Sequence, residues 1–280
     1  MQNHSFRQPS VFVSLPSQGK WWPPHALQIT NPSGELGVQS MTVKDEMALK
    51  SPDALMNGVA VVNTIQSCCP DIKDAWHIPA MDLDSILTAI RIATYGPKLE
   101  VDSIVPKVDV KKTLSIDLNQ LMDSIVKKPF QDTHTLKDGT VIQIRPMNYR
   151  DVTDNNVRTY EQTRLAASIE KSSVSESEKI NQIQKAFINI TNMTVDALAG
   201  QLVAVKYQGE EDITDIKSFI TSIPAVMANE IKEVINSQKD IGTIPAMTIQ
   251  TDQQEIDQGA PSTYKQNINL DYSNFFVYKY

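Results

Sequence analysis

The hydrophobic positions change rhythm several times along the chain. "ELGVQSM" (35–41) alternates with period two, as a strand does, and "TVKDEMALK" (42–50) then opens a helix. Thr42 is its expected N-cap, with Asp45 three residues on in a capping-box arrangement that uses Asp in place of Glu or Gln. In "SPDALMNGVAVVNTIQSCC", Ser51 is the expected cap and Pro52 the first helical residue. "MDLDSILTAIRIATYG" is the clearest helix, with Leu83, Ile86, Leu87, Ile90 and Ala93 or Thr94 on one stripe and Gly96-Pro97 as its stop. "KLEVDSIVPKVDVKKTLSIDL" predicts strands turning near Pro106. "DLNQLMDSIVKK" predicts a short helix with Leu118, Leu121, Met122 and Ile125 inward and Lys127 and Lys128 at its C-terminal end.

The second half starts with a hairpin, "HTLKDGTVIQIRPM", whose turn is Asp138-Gly139. A helix opens at Asn148 with Asp151 three residues later, repeating the strand–Met–cap–acid order of residues 35–45. That repetition has two readings, a diverged internal duplication or a common strand-to-helix grammar. Residues 150–240 predict helices. Ile180, Ile183, Phe187 and Ile190 share one face, a further helix is capped by Thr194 with Leu198 and Leu202 inward, and Pro224 splits the last pair, with Ser222 capping the second. After that, strand periodicity returns around a long polar loop. The expected fold is α+β: small antiparallel sheets or hairpins with packed helices, and a mainly helical C-terminal part closed by a β tail. The expected divisions are an extended Pro/Gly-rich segment (1–35), an α+β domain (36–130), a hairpin plus helical domain (131–245) and a β-like tail ending in aromatics (246–280).

Composition narrows the function. Net charge is −7, which disfavours binding nucleic acid through phosphate neutralisation. No apolar run approaches the ~20 residues of a membrane span, and the N-terminus lacks a signal-peptide pattern. The two cysteines, Cys68 and Cys69, are adjacent, so no disulfide framework is expected; a vicinal thiol pair could bind a soft metal, but the favoured reading is two half-buried small apolar residues at a helix end. His4, His25, His77 and His134 lie in no local catalytic signature. Ten glycines leave no Gly-rich phosphate loop. Asp82 and Asp84 could pair on a metal, but their place at a helix start favours a helix-dipole role. The expectation is a protein with no enzymatic activity, no cofactor and no metal, acting through protein surfaces. A hydrolase with a site invisible in sequence is the remote alternative.

Two aromatic groups are the candidate interaction residues: Trp21 and Trp22, and the terminal Tyr272, Phe275, Phe276, Tyr278 and Tyr280. Pro23-Pro24 stiffens the Trp segment. Trp21 is expected to pack within its own chain and Trp22 to lie nearer a neighbour.

"LPSQGKWWPP" (15–24), Met41-Thr42-Val43-Lys44-Asp45-Glu46, the helix end Arg91-Ile92…Tyr95-Gly96, "SIDL" (115–118) and "INLDYSNFF" (268–276, with Asp271, Phe275 and Phe276) occur in an order that resembles the T-even-type bacteriophage baseplate protein family. Its members are described as hub subunits or hub-assembly factors of contractile-tailed phages. The resemblance is best over the first 150 residues or so. It implies a virion component of the tail baseplate, near the hub, made in the host cytoplasm and partnered by hub, wedge or tape-measure proteins, without nucleic acid or membrane. An assembly chaperone absent from the virion is the alternative. Many relatives place Cys-x-x-Cys knuckles after the Tyr-Gly helix and some before the terminal Phe-Phe. This chain has none there, so no zinc is expected, with Val101, Ile104, Val108 and Val110 supplying packing instead.

Overall fold

The computed structural model describes residues 7–51, 57–125, 128–170, 175–207 and 213–268. In chain order its elements are β1 (Val11–Val13), β2 (Leu36–Val38), α1 (Val43–Leu49), α2 (Val59–Cys68), a 3-10 turn (Ala75–His77), α3 (Ala80–Tyr95), β3 (Lys98–Val105), β4 (Val110–Asp117) and α4 (Leu118–Ser124). There follow β5 (Thr133–Thr135), β6 (Val141–Ile144), α5 (Tyr149–Glu170), α6 (Glu176–Gln201), β7 (Leu202–Lys206), α7 (Ile216–Ser222), α8 (Ala225–Ser237), β8 (Met247–Gln250), α9 (Gln253–Asp257) and β9 (Thr263–Gln266). The fold is α+β. The sheets are small and antiparallel: β1-β2, β3-β4, β5-β6-β7 and β8-β9.

Both expected capping boxes are present. Asp45 N–H donates to Thr42 Oγ1 while the Asp45 carboxylate accepts from Thr42 N–H at 2.7 Å. Asn148 and Asp151 make the same reciprocal pair at 2.8 and 3.1 Å. An arginine lies beside each acid, Arg7 3.7 Å from Asp45 and Arg145 2.9 Å from Asp151. The two strand-to-helix passages are thus alike in local chemistry as well as in order.

The main core surrounds α3, which packs against β1, β2, α2, α4 and α5. Ile86, Ala89 and Ile90 have no exposure, and Asp82, Ser85, Thr88 and Arg91 are buried too. The expected single stripe is therefore too narrow: α3 is enclosed almost all round, which requires partners for its polar groups. Residues 7–35 lie against this core with Val13, Leu15, Trp22 and Ala26 buried. A second cluster joins β6 and β7 to the end of α6 and to α7 and α8, through Ile142, Ile144, Leu198, Val205, Phe219 and Ile231. A third and smaller one seats Tyr264 and Ala260 against Val105, with the Tyr264 hydroxyl 3.0 Å from Ser103 Oγ.

Several local expectations change. α2 itself starts at Val59, behind Gly58 at φ +74°; Pro52 lies outside the described residues, as does Lys127. Thr194 caps nothing, because α6 runs unbroken and Thr194 Oγ1 donates to the Ile190 carbonyl one turn back. Leu202 is buried as expected but opens β7. Pro224 does break α7 from α8, but it is itself the N-cap of α8, while Ser222 Oγ donates to the Phe219 carbonyl. On the β3-β4 hairpin, Ile104 is paired in register with Lys111 and lies 56% exposed, and Val110 is 36% exposed. Of the four residues expected to pack there, only Val101 and Val108 are set against a core, because the period of two turns Ile104 to the outer face.

Cys68 and Cys69 end α2 fully buried and unbridged. Burial pushes the Cys68 thiol up to about 12, Asp45 adds to it, and Arg7 opposes. Burial also raises Cys69. At pH 8 Cys68 is therefore held as the unreactive thiol. Folded protein is expected to resist alkylation by iodoacetamide until denaturant is added; rapid labelling of native protein, read by mass, would contradict this packing.

Candidate functional site

The tryptophan motif is held by a carboxylate. Residues 15–21 form tight turns, with Gln18 N–H donating to the Leu15 carbonyl and Lys20 N–H to that of Ser17. Gln18, Gly19 and Trp21 all adopt positive φ. The turns deliver three donors to Asp82: Ser17 N–H at 2.8 Å, Ser17 Oγ–H at 2.5 Å and the Trp22 indole N–H at 2.7 Å. Asp82 has no exposure and Trp22 only 8%. Burial raises the Asp82 pKa, and the Ser17 and Trp22 hydrogen bonds oppose that rise.

Trp22, expected to lie nearer a neighbour, is instead enclosed by its own chain. Trp21 is half-buried, its ring edge-on to Phe130 at 5.5 Å, with Lys20 Nζ 4.6 Å from its centroid. Lys20 also pairs with Asp132 at 3.0 Å. Trp21, Lys128 and Phe130 line an open surface cleft together with Met81 and the 14–20 turn.

The first turn of α3 gathers more of the chain. Ala80 N–H donates to the Met147 carbonyl and Tyr149 N–H to that of Ile78, both at 2.8 Å. Ile244 N–H donates to the Asp84 carboxylate at 3.1 Å, and burial raises the Asp84 pKa. Gly242 lies directly on the Met81 carbonyl. The "DLD" acids thus tie the N-terminal segment and the chain after α8 to one helix end, and the backbone of Ile78 and Ala80 ties the start of α5 beside them. These acids do more than favour the helix dipole, and the reach of that tie is visible only in three dimensions.

The second feature is an arm. α5 and α6 pack antiparallel, residues near 155 and 159 of α5 facing residues near 194 and 197 of α6. At 22 and 26 residues they are about 33 and 39 Å long. Leu198, at the inner end of α6, is buried in the second cluster. The same helical stripe continues outward through Ile190, Ile183 and Ile180, and these and Ile188 are between 40% and 60% exposed. Tyr160 and Leu165 on α5 are similarly open. The shared face predicted for Ile180, Ile183 and Ile190 therefore exists, but it is a surface and not a core; the Phe187 side chain lies outside the described residues.

The terminal Tyr272, Phe275, Phe276, Tyr278 and Tyr280 lie outside the described residues. One constellation escaped the sequence reading: His25, Asp74 and His77 bring ligand atoms within 4.8 Å of one another. His25 is distant in sequence from the other two, so no local motif could announce them.

Over residues 11–257 the chain matches the model of the family described as T4 bacteriophage base plate protein, and it belongs to that family. No curated protein and no solved structure matches it. The family makes it a structural protein of the phage baseplate, which works by contact with other baseplate proteins in the virion tail. No described helix is long and apolar enough to cross a membrane.

Proposed function

We propose that the chain is a non-enzymatic subunit of the hub region of a contractile-tail baseplate, with hub, wedge or tape-measure proteins as its partners. The observation that carries this reading is the α5-α6 arm, whose exposed isoleucine stripe leaves the core on a helical pair and offers a partner helix an apolar face. Baseplate membership supplies the class of partner. Trp21, at the mouth of its cleft, is a second contact candidate, as are the terminal aromatics.

Replacing Ile183 and Ile190 by Glu tests the arm. Both are surface positions, so unfolding free energy should shift by about 0.5 kcal/mol or less per site. Incorporation into baseplates, followed by mass spectrometry of tails assembled with the variant, should be lost. Normal incorporation would refute the arm as the contact. In wild-type virions the protein should be present at stoichiometric copy number; its absence would favour the assembly chaperone instead.

A further inference from the structure

We propose that His25, Asp74 and His77 form a binding site for one divalent transition-metal ion, with Zn²⁺ the best fit. Two imidazoles and a carboxylate suit zinc, nickel or cobalt, whereas magnesium and calcium prefer oxygen alone. The donor atoms lie within 4.8 Å of one another. Tetrahedral zinc ligands at about 2.1 Å from the ion are about 3.4 Å apart, so a modest rotation of the exposed His25 ring closes the set, with water in the fourth position.

The backbone holds the three residues in place. Ala26 N–H donates to the Pro23 carbonyl, and the Ala26 carbonyl accepts from Lys73 N–H at 2.8 Å and Asp74 N–H at 3.3 Å. Gln28 N–H reaches the Asp71 carbonyl at 2.9 Å, and Leu27 bridges Ile72. Ala26 and Ala75, each next to a ligand, are fully buried. His25 and the Asp74–His77 turn are thus fixed on either side of one strapped junction. Asp74 is oriented further, one oxygen accepting from Trp76 N–H at 3.0 Å and the other 2.9 Å from His77 Nδ1. The His25 and His77 rings meet edge-on, their centroids 5.3 Å apart. A metal here would staple the tryptophan-bearing N-terminal segment to the connection between α2 and α3. The expectation of no metal rested on missing cysteine knuckles and on local spacing, neither of which bears on this cluster. The site does not depend on the hub assignment.

The test is calorimetric titration of the untagged full-length protein with ZnCl₂, repeated with NiCl₂. Wild type should bind one ion, and binding should raise Tm. His25→Ala, His77→Gln and Asp74→Asn each remove a ligand, so each should weaken binding by at least the roughly 10- to 100-fold that loss of an outer-shell partner costs. Metal-free melts of His25→Ala should match wild type, because the side chain is exposed. Co²⁺ loaded in place of zinc should show no thiolate charge-transfer band, which separates this site from Cys68 and Cys69. No binding at millimolar zinc, unchanged affinity in both histidine variants, or a thiolate band would each overturn the proposal.

Discussion

Gly242→Ala is expected to lower Tm by roughly 6–12 °C, a large effect for a single methyl group. Gly242 has φ +78°, and a Cβ there would lie 1.9 Å from the Met81 carbonyl oxygen, 2.6 Å from its carbon and 2.7 Å from its Cα. The obstacle is backbone in the first turn of α3, so no rotamer change can relieve it. A left-handed conformation costs an alanine about 1–2 kcal/mol, and forcing apart a packed contact adds about 1–3 kcal/mol. Together these give roughly 3 kcal/mol, at roughly 2–4 °C per kcal/mol for a chain of this order of size. Gly139→Ala is the control, since its φ is +90° but nothing lies within 4 Å of the added carbon. It should cost only about 1–2 kcal/mol. Thermal and urea unfolding of the pair decide the matter: equal losses would mean that the turn after α8 does not press against α3.

That contact marks where the sequence stops being legible. Thr42–Asp45 and Asn148–Asp151 were readable because a capping box spans three residues and its chemistry is entirely local. The β3-β4 and β5-β6 hairpins were readable for the same reason, period two on either side of a turn. What joins the elements was not. Asp82 meets Ser17 and Trp22 across 65 and 60 residues, and nothing about an acid at a helix start distinguishes one that faces solvent from one that accepts three buried donors. Trp21 and Trp22 share composition and neighbourhood; the path of the backbone, with Trp21 at φ +75°, decides which indole enters the core. The apolar stripe of α6 was correctly periodic, but periodicity gives a face and not its covering. Leu198 is covered by the second cluster and Ile183 is not. The candidate contact surface was thus half visible, as a pattern without a destination.

Asp82→Ala should cost about 3 kcal/mol or more, because it strands the Ser17 amide, the Ser17 hydroxyl and the Trp22 indole in a buried site. Each orphaned group carries a penalty of about 1–3 kcal/mol. Trp22→Phe should keep much of the packing but remove one donor from the carboxylate, and so fall between wild type and Asp82→Ala. Trp21→Ala, at a half-buried position, should cost less than either. The pH dependence is an independent check. Burial raises the Asp82 pKa above that of the unfolded chain, so the folded state holds the proton more tightly. Between the ordinary carboxylate range and that raised value the folded state binds more protons, and stability must fall as pH rises through the window. Asp84 is raised by burial too and contributes the same sign. Asp132 and Asp215, lowered by hydrogen bonds from Lys20 and Ser218 respectively, contribute the opposite sign at more acidic pH. Asp82→Asn removes one titration and should flatten the decline without abolishing it, since Asp84 remains. Urea midpoints measured from pH 4 to 8 would show this. An unchanged slope in Asp82→Asn, or a loss under about 1 kcal/mol in Asp82→Ala, would mean that the tryptophan turn is not anchored on this carboxylate.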